Sequence, residues 1–143
     1  MKKRSIQEVR AFNRWYTDVI GLLNRHLLDS AYSLAEARLI YEIHAAGSIR
    51  ASQIMANMRI DKSYLSRLLK KLETQKVVAA QTSPEDGRAT LLRLTEKGRQ
   101  EFAALNNASD EQIGRLLRPL SKEEHEKLVG HMKAIMHLLT TTR

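Results

Sequence analysis

The side chains able to do chemistry crowd into one stretch, DKSYLSRLLKKLETQ, residues 61–75. Leu65, Leu68, Leu69 and Leu72 recur at the spacing of one buried helical stripe. The opposite face carries Ser63, Tyr64, Ser66, Arg67, Lys70, Lys71 and Thr74, with Glu73 as its acid. Lys and Arg reach phosphates or guanine edges, and Ser and Tyr donate hydrogen bonds to phosphates or bases. Asp61 is placed to cap the helix, whose N-terminus itself favours a phosphate. Charged helix faces are most often merely solvated, so the neighbouring elements decide what this one means.

A second group follows in SPEDGRATLLRLTEKG, residues 83–98. Ser83, Pro84, Glu85, Asp86 and Gly87 form a turn, and Leu92 and Leu94 alternate with Leu91, Arg93 and Thr95 in a strand. Arg88 stands just past the hairpin tip. An arginine there suits a narrow minor groove, where negative potential concentrates. Asp86 is expected to pair with the Arg88 guanidinium and fix it before binding. The plainer alternative is an exposed ion pair worth ~0–1 kcal/mol.

The elements that must position these groups read as follows. Residues 5–29 form a long helix, with Ile6, Val9, Phe12, Tyr16, Val19, Ile20, Leu23 and Leu27 at helical spacing. Ser33 and Glu36 make a capping box for a second helix, which buries Leu39, Ile40 and Ile43 and stops at Gly47. A short helix over 50–57, a tight turn and the helix at 62–75 give helix-turn-helix geometry. A strand over 77–82 and the strand after the turn make a hairpin, placed where a winged helix carries its wing. A helix from Glu96 to about Arg118 ends at Pro119. Ser121 and Glu124 cap the last helix, with Leu128, Met132, Ile135, Met136 and Leu139 on one face. The expected fold is mainly α with a small β wing: a winged helix-turn-helix flanked by N- and C-terminal helices.

Composition narrows the function. The 143 residues hold 24 basic and 16 acidic side chains, a formal charge of +8. Residues 59–99 carry 10 basic and 5 acidic groups, whereas 100–143 carry 6 of each. A polyanion is therefore expected to meet the middle of the chain. There is no cysteine, hence no disulfide, thiolate metal site or thiol sensor. The histidines (His26, His44, His125, His131 and His137) include no pair at i, i+4, so no metal site is expected. No catalytic triad, phosphate-cradling glycine loop or cofactor fingerprint occurs. The chain is not expected to be an enzyme or to need a cofactor. No apolar run approaches the ~20 residues that cross a bilayer, and a cytoplasmic location without membrane association is expected.

Asp86, Arg88, Leu92, Leu94, Thr95 and Gly98 match the Asp-x-Arg, Leu-rich strand and Leu-Thr-x-x-Gly wing signature of the MarR family of bacterial transcription regulators, and DKSYLSRLLKKLE resembles that family's recognition helix. The resemblance covers nearly the whole chain. It implies a single subunit over 1–143, with a winged helix-turn-helix at 33–95 and dimerisation helices at 5–29 and 99–140. It further implies a homodimer that binds a pseudo-palindromic operator in double-stranded DNA, usually as a repressor released by a small aromatic or anionic effector. Arg88 would then enter the minor groove with Asp86 as its partner. Ser63, Ser66 and Arg67 would lead the recognition-helix contacts, supported by Tyr64, Lys70 and Lys71. Arg14, Trp15, Tyr16, Arg38 and Tyr41 lie on helices that would flank the family's usual ligand pocket, although aromatics at helical spacing are more often core or interface. The thiol-oxidation mode of part of the family is excluded.

Three departures stand out. Arg59 and Lys76 occupy positions where the family often has glycine, and Ala79 and Ala80 stand where the first wing strand often has arginine. The N-terminal region also resembles a subgroup fused to GNAT-type acetyltransferases. The last helix ends without an obvious linker, which favours a stand-alone subunit over a regulatory half. A different class of reading, a sequence-nonspecific architectural DNA-binding module, is supported by the +8 charge alone.

Overall fold

The computed structural model describes residues 2–28 and 30–140, and the side chains of these apart from 22–28. Leu23, His26 and Leu27 therefore lie outside the described side chains, and residue 29 lies outside the described residues. The described elements run α1 (Lys3–Leu28), α2 (Leu34–Ala46), β1 (Ile49–Arg50), α3 (Ala51–Met58), α4 (Lys62–Thr74), β2 (Val78–Thr82), β3 (Thr90–Leu94), α5 (Glu96–Leu117) and α6 (Lys122–Thr140). This is the expected mainly helical chain with a β wing, and each expected element ends within two residues of its expected boundary.

The sheet holds one strand more than expected. Its order is β1-β3-β2, with β2 and β3 antiparallel from Val78↔Leu94 to Thr82↔Thr90. The extra strand, β1, pairs Ile49↔Leu92 and Arg50↔Leu91. Two residues are too few to show period-2 alternation, so only the pairing with β3 reveals β1.

Two compact units divide the chain, Met1–Ala108 and Ser109–Arg143. The core of the first lies between Tyr32 and Leu94. Leu39, Ile40 and Ile43 of α2 pack with Ile49, Ile54, Leu65, Leu72, Val77, Val78, Leu92 and Leu94, partly covered by Phe102 and Leu105 of α5. The winged helix thus has its own interior. α2 starts from the expected box: Glu36 N–H donates to Ser33 Oγ at 3.2 Å, and Ser33 N–H donates to Glu36 Oε1 at 2.8 Å. It stops at Gly47, at φ 76°. On α1, Ile6, Val9, Phe12 and Trp15 are exposed, while Tyr16, Val19 and Ile20 are half-buried. Phe12 stacks on Tyr16 with centroids 5.4 Å apart.

In the second unit, Ser121 and Glu124 make the other expected capping box, with bonds of 3.0 and 3.1 Å. The Ser121 N–H and hydroxyl hold the Glu124 carboxyl below its ordinary pKa. α6 has no buried residue, and Val129, Met132, Ile135, Met136, Leu138 and Leu139 are exposed. Among the described residues no helix is long and apolar enough to cross a membrane.

Candidate nucleic-acid interface

The short helix α3 and the turn after it set the orientation of α4. The chain leaves α3 through Arg59 in the left-handed region, φ 55° and ψ 49°, and Ile60 N–H donates to Met55 O at 3.2 Å. Asp61 then accepts from Tyr64 N–H at 2.7 Å, the expected N-cap. Leu65 and Leu72 are buried, and Leu68 and Leu69 are half-buried. This inward stripe turns Ser63, Tyr64, Ser66, Arg67, Lys70, Lys71 and Thr74 outward, and all seven are exposed. The Arg67 guanidinium lies 5.6 Å from the centre of the Tyr64 ring, which restrains both side chains. Arg67, Lys70, Lys71, Thr74 and Gln75 line an open depression of about 400 Å³.

One of these cations is already engaged. Lys71 Nζ donates to Glu36 Oε1 at 3.1 Å and lies 2.9 Å from Oε2. Glu36 is 3% exposed. Its burial would raise the carboxyl pKa, but the Ser33 N–H, Lys71 and the Ser33 hydroxyl outweigh that and hold it below the ordinary value. Lys71 thus ties α4 to the start of α2, whereas the Lys70 side chain is exposed and makes no such bond among the described residues. A residue 35 positions away in sequence supplies the carboxylate, and reading the helix face by itself gives no sign of it.

The C-terminal end of α4 is held by the wing and α5. Lys76 follows at φ 61°. Thr95 Oγ1 donates to Lys76 O at 2.6 Å and accepts from Gly98 N–H at 3.0 Å, so it caps α5 while gripping the end of α4. Thr95 N–H donates to Val77 O at 3.0 Å. Lys97 Nζ donates to Gln75 O at 2.9 Å, a cation on the negative end of the helix. Gly98 is required because a Cβ there would fall 2.1 Å from Val77 O. The Leu-Thr-x-x-Gly motif is therefore the joint between α4 and the wing.

The wing tip is built differently from expectation. Ser83 is buried, and its Oγ accepts from the Glu85 and Asp86 N–H groups, each at 3.3 Å. Ala89 N–H donates to Asp86 O at 3.0 Å, closing a turn, and Ser83 N–H donates to Ala89 O at 2.9 Å. Asp86 Oδ1 accepts from the backbone N–H of Arg88 at 3.0 Å. No ion pair joins Asp86 to the Arg88 guanidinium. A short Asp side chain at the first turn position reaches the amide two residues on more easily than the far end of a long side chain. Asp86 thus shapes the turn, and Arg88 projects from it exposed, without an ion pair among the described residues.

The residues expected near an effector lie on two helices, α1 and α2. Arg14 and Trp15 are exposed and Tyr16 is half-buried on α1, where Phe12, Trp15 and Tyr16 form a ring cluster. On α2, Tyr41 is 53% exposed, and Arg38 Nε donates to Glu42 at 2.8 Å. No hydrogen bond or ring contact joins the two sets among the described residues. His44 stacks on Phe102 at 3.8 Å between centroids, and His125 Nε2 lies 2.7 Å from Leu117 O. No group of three or more His, Asp or Glu among the described residues could hold a metal ion.

Comparison with known proteins agrees with this architecture. A model of the MarR family matches residues 32–89, the stretch that holds α2, α3, α4 and the wing tip. YdgJ of Bacillus subtilis, an uncharacterized HTH-type transcriptional regulator, is 30% identical over 97 residues, covering 68% of this chain but 59% of YdgJ, so the match spans about three fifths of that relative. IacR of Pseudomonas putida, an HTH-type transcriptional repressor, is 24% identical over 132 residues, covering 92% of this chain and 77% of IacR. A mutant MarR from E. coli, complexed with operator DNA, has the same fold, with a TM-score of 0.75 and 21% identity over 92% of this chain and 95% of that one. YdgJ and IacR are named as regulators rather than enzymes, and the resemblance to acetyltransferase fusions gains no support from them. The MarR family model thus matches the winged helix of this chain, and the chain shares the fold of MarR from E. coli.

Proposed function

We propose that this chain is a DNA-binding transcription regulator of MarR type. It places α4 in the major groove of an operator and the wing tip in the adjacent minor groove. The observation that carries this reading is the outward face of α4, Ser63 to Lys70, held at both ends beside a wing whose turn presents an exposed Arg88. In this reading Ser63, Tyr64, Ser66, Arg67 and Lys70 meet bases and phosphates, Arg88 enters the minor groove, and Asp86 and Lys71 position their neighbours.

The active unit in this reading is a homodimer. The exposed apolar side chains of α1 and α6 support it, since patches of that kind on a lone subunit mark association surfaces. The subunit is 1–143, with a DNA-binding region at 33–95 and dimerisation helices at 5–29 and 99–140, acting in the cytoplasm where the DNA is. Two-fold symmetry then requires a pseudo-palindromic operator. The named activity of IacR supports repression. A small aromatic or anionic effector would release the operator, acting near Arg14, Trp15, Tyr16, Arg38 and Tyr41.

The test is binding to a duplex from the chain's own upstream region beside a scrambled duplex, at two salt concentrations. Preference for the upstream duplex that survives the higher salt supports base readout. Equal binding that collapses with salt means that phosphates alone are read, and the architectural module replaces the regulator. Sedimentation at micromolar concentration tests the dimer, and a monomer there removes the symmetric operator.

A further inference from the structure

Arg59 and Lys76 are the non-glycine residues with positive φ among the described residues, at 55° and 61°. They bracket α4, one before its Asp61 cap and one after its Gln75 cap. Hydrogen bonds of the main chain fix both conformations. Ile60 N–H donates to Met55 O around the first, and at the second Lys76 N–H donates to Glu73 O at 3.0 Å while its carbonyl accepts from Thr95. Any residue at these positions must adopt the left-handed region, which glycine enters without a Cβ penalty. The chain instead has a long cation at each. Both side chains are exposed, and neither has a hydrogen bond or ion pair among the described residues. Strain kept for a side chain that the fold does not use points to a ligand.

The placement indicates which ligand. Thirteen residues of α4 at about 1.5 Å each make a helix ~20 Å long. The major groove is ~12 Å wide, so the two ends of a helix seated in it lie over the phosphate rows on either side. We propose that Arg59 and Lys76 are phosphate-contact residues that hold the two ends of α4 on the duplex backbone, each kept at the expense of chain stability. This inference rests on the DNA-binding reading above.

The test uses Arg59→Gly, Lys76→Gly and the charge-keeping Arg59→Lys and Lys76→Arg, on the full chain with the upstream duplex. Each glycine variant is expected to raise Tm by about 1–4 °C. Each is also expected to weaken binding about fivefold at 0.15 M salt and to reduce the slope of log K against log salt by about 0.9 per subunit. The charge-keeping variants should bind like the wild type and show no gain in Tm. Glycine variants that bind with unchanged affinity and slope overturn the contact, and a fall in their Tm overturns the strain. If the wild type binds no duplex, the DNA-binding reading fails first and this inference with it. If the wild type binds and the variants match it, only this inference fails.

Discussion

Gly98→Ala is expected to destabilise the chain even though alanine is the better helix former. Gly98 sits in the first turn of α5, and a Cβ there would lie 2.1 Å from Val77 O and 3.1 Å from Val77 C. That is more than ~1 Å short of an ordinary contact. The obstacle is backbone, so no rotamer change relieves it, and α5 must move away from Val77. The same few atoms carry the Thr95 bonds to Val77 O, Lys76 O and Gly98 N–H, at 3.0, 2.6 and 3.0 Å. Losing two or three of these, at ~1 kcal/mol each, with about 1–3 kcal/mol of residual overpacking, outweighs the ~1 kcal/mol of helix propensity gained. The net loss is about 2–5 kcal/mol, a fall in Tm on the order of 10 °C. Urea and thermal unfolding measure it, with Gly114→Ala as the control. Gly114 lies in the same helix and has nothing within 4 Å of a Cβ, so its substitution should stabilise by up to ~1 kcal/mol. If both variants gain stability alike, the close approach of α5 to Val77 is wrong, and so is the assignment of Thr95 and Gly98 as the joint of the wing.

Arg88→Ala should weaken operator binding by about 1–3 kcal/mol while leaving Tm unchanged, and equal binding in a titration would remove Arg88 from the interface. Lys70→Met and Lys71→Met should separate, although the residues are adjacent. Lys70→Met lowers the salt dependence of DNA binding with little loss of stability. Lys71→Met leaves the salt slope alone and costs about 1–2 kcal/mol, less than for a fully buried pair because the Lys71 side chain is 51% exposed. The Glu36 carboxyl, held below its ordinary pKa, contributes stability that is fully present above the unfolded value of about 4.3 and is lost as pH falls through the lower folded one. Wild-type stability should therefore fall more steeply than that of Glu36→Gln as the pH drops below about 4.3, and parallel acid limbs in urea titrations would refute it.

Local chemistry made much of this molecule legible in the sequence. The capping boxes at Ser33 and Ser121, the Asp61 cap, the stop at Gly47 and the leucine stripe of α4 each depend on residues within one or two turns of one another, so spacing alone carries them. The sequence by itself thus determined the helices, the hairpin and the outward face of α4. The contacts that hold that face in place are long-range, and only the tertiary structure decided them. Lys71 looks like any other cation of the helix until α2 brings Glu36 to it. Asp86 and Arg88 look like an ion pair until the closed turn gives the carboxylate a nearer amide. Ile49 and Arg50 become a strand only because Leu91 and Leu92 lie beside them. Thr95 and Gly98 were legible as a motif, but their purpose became visible only where the chain folds back on Val77. A side chain's type and spacing state what it can bind, and the fold decides which of its partners is already within reach.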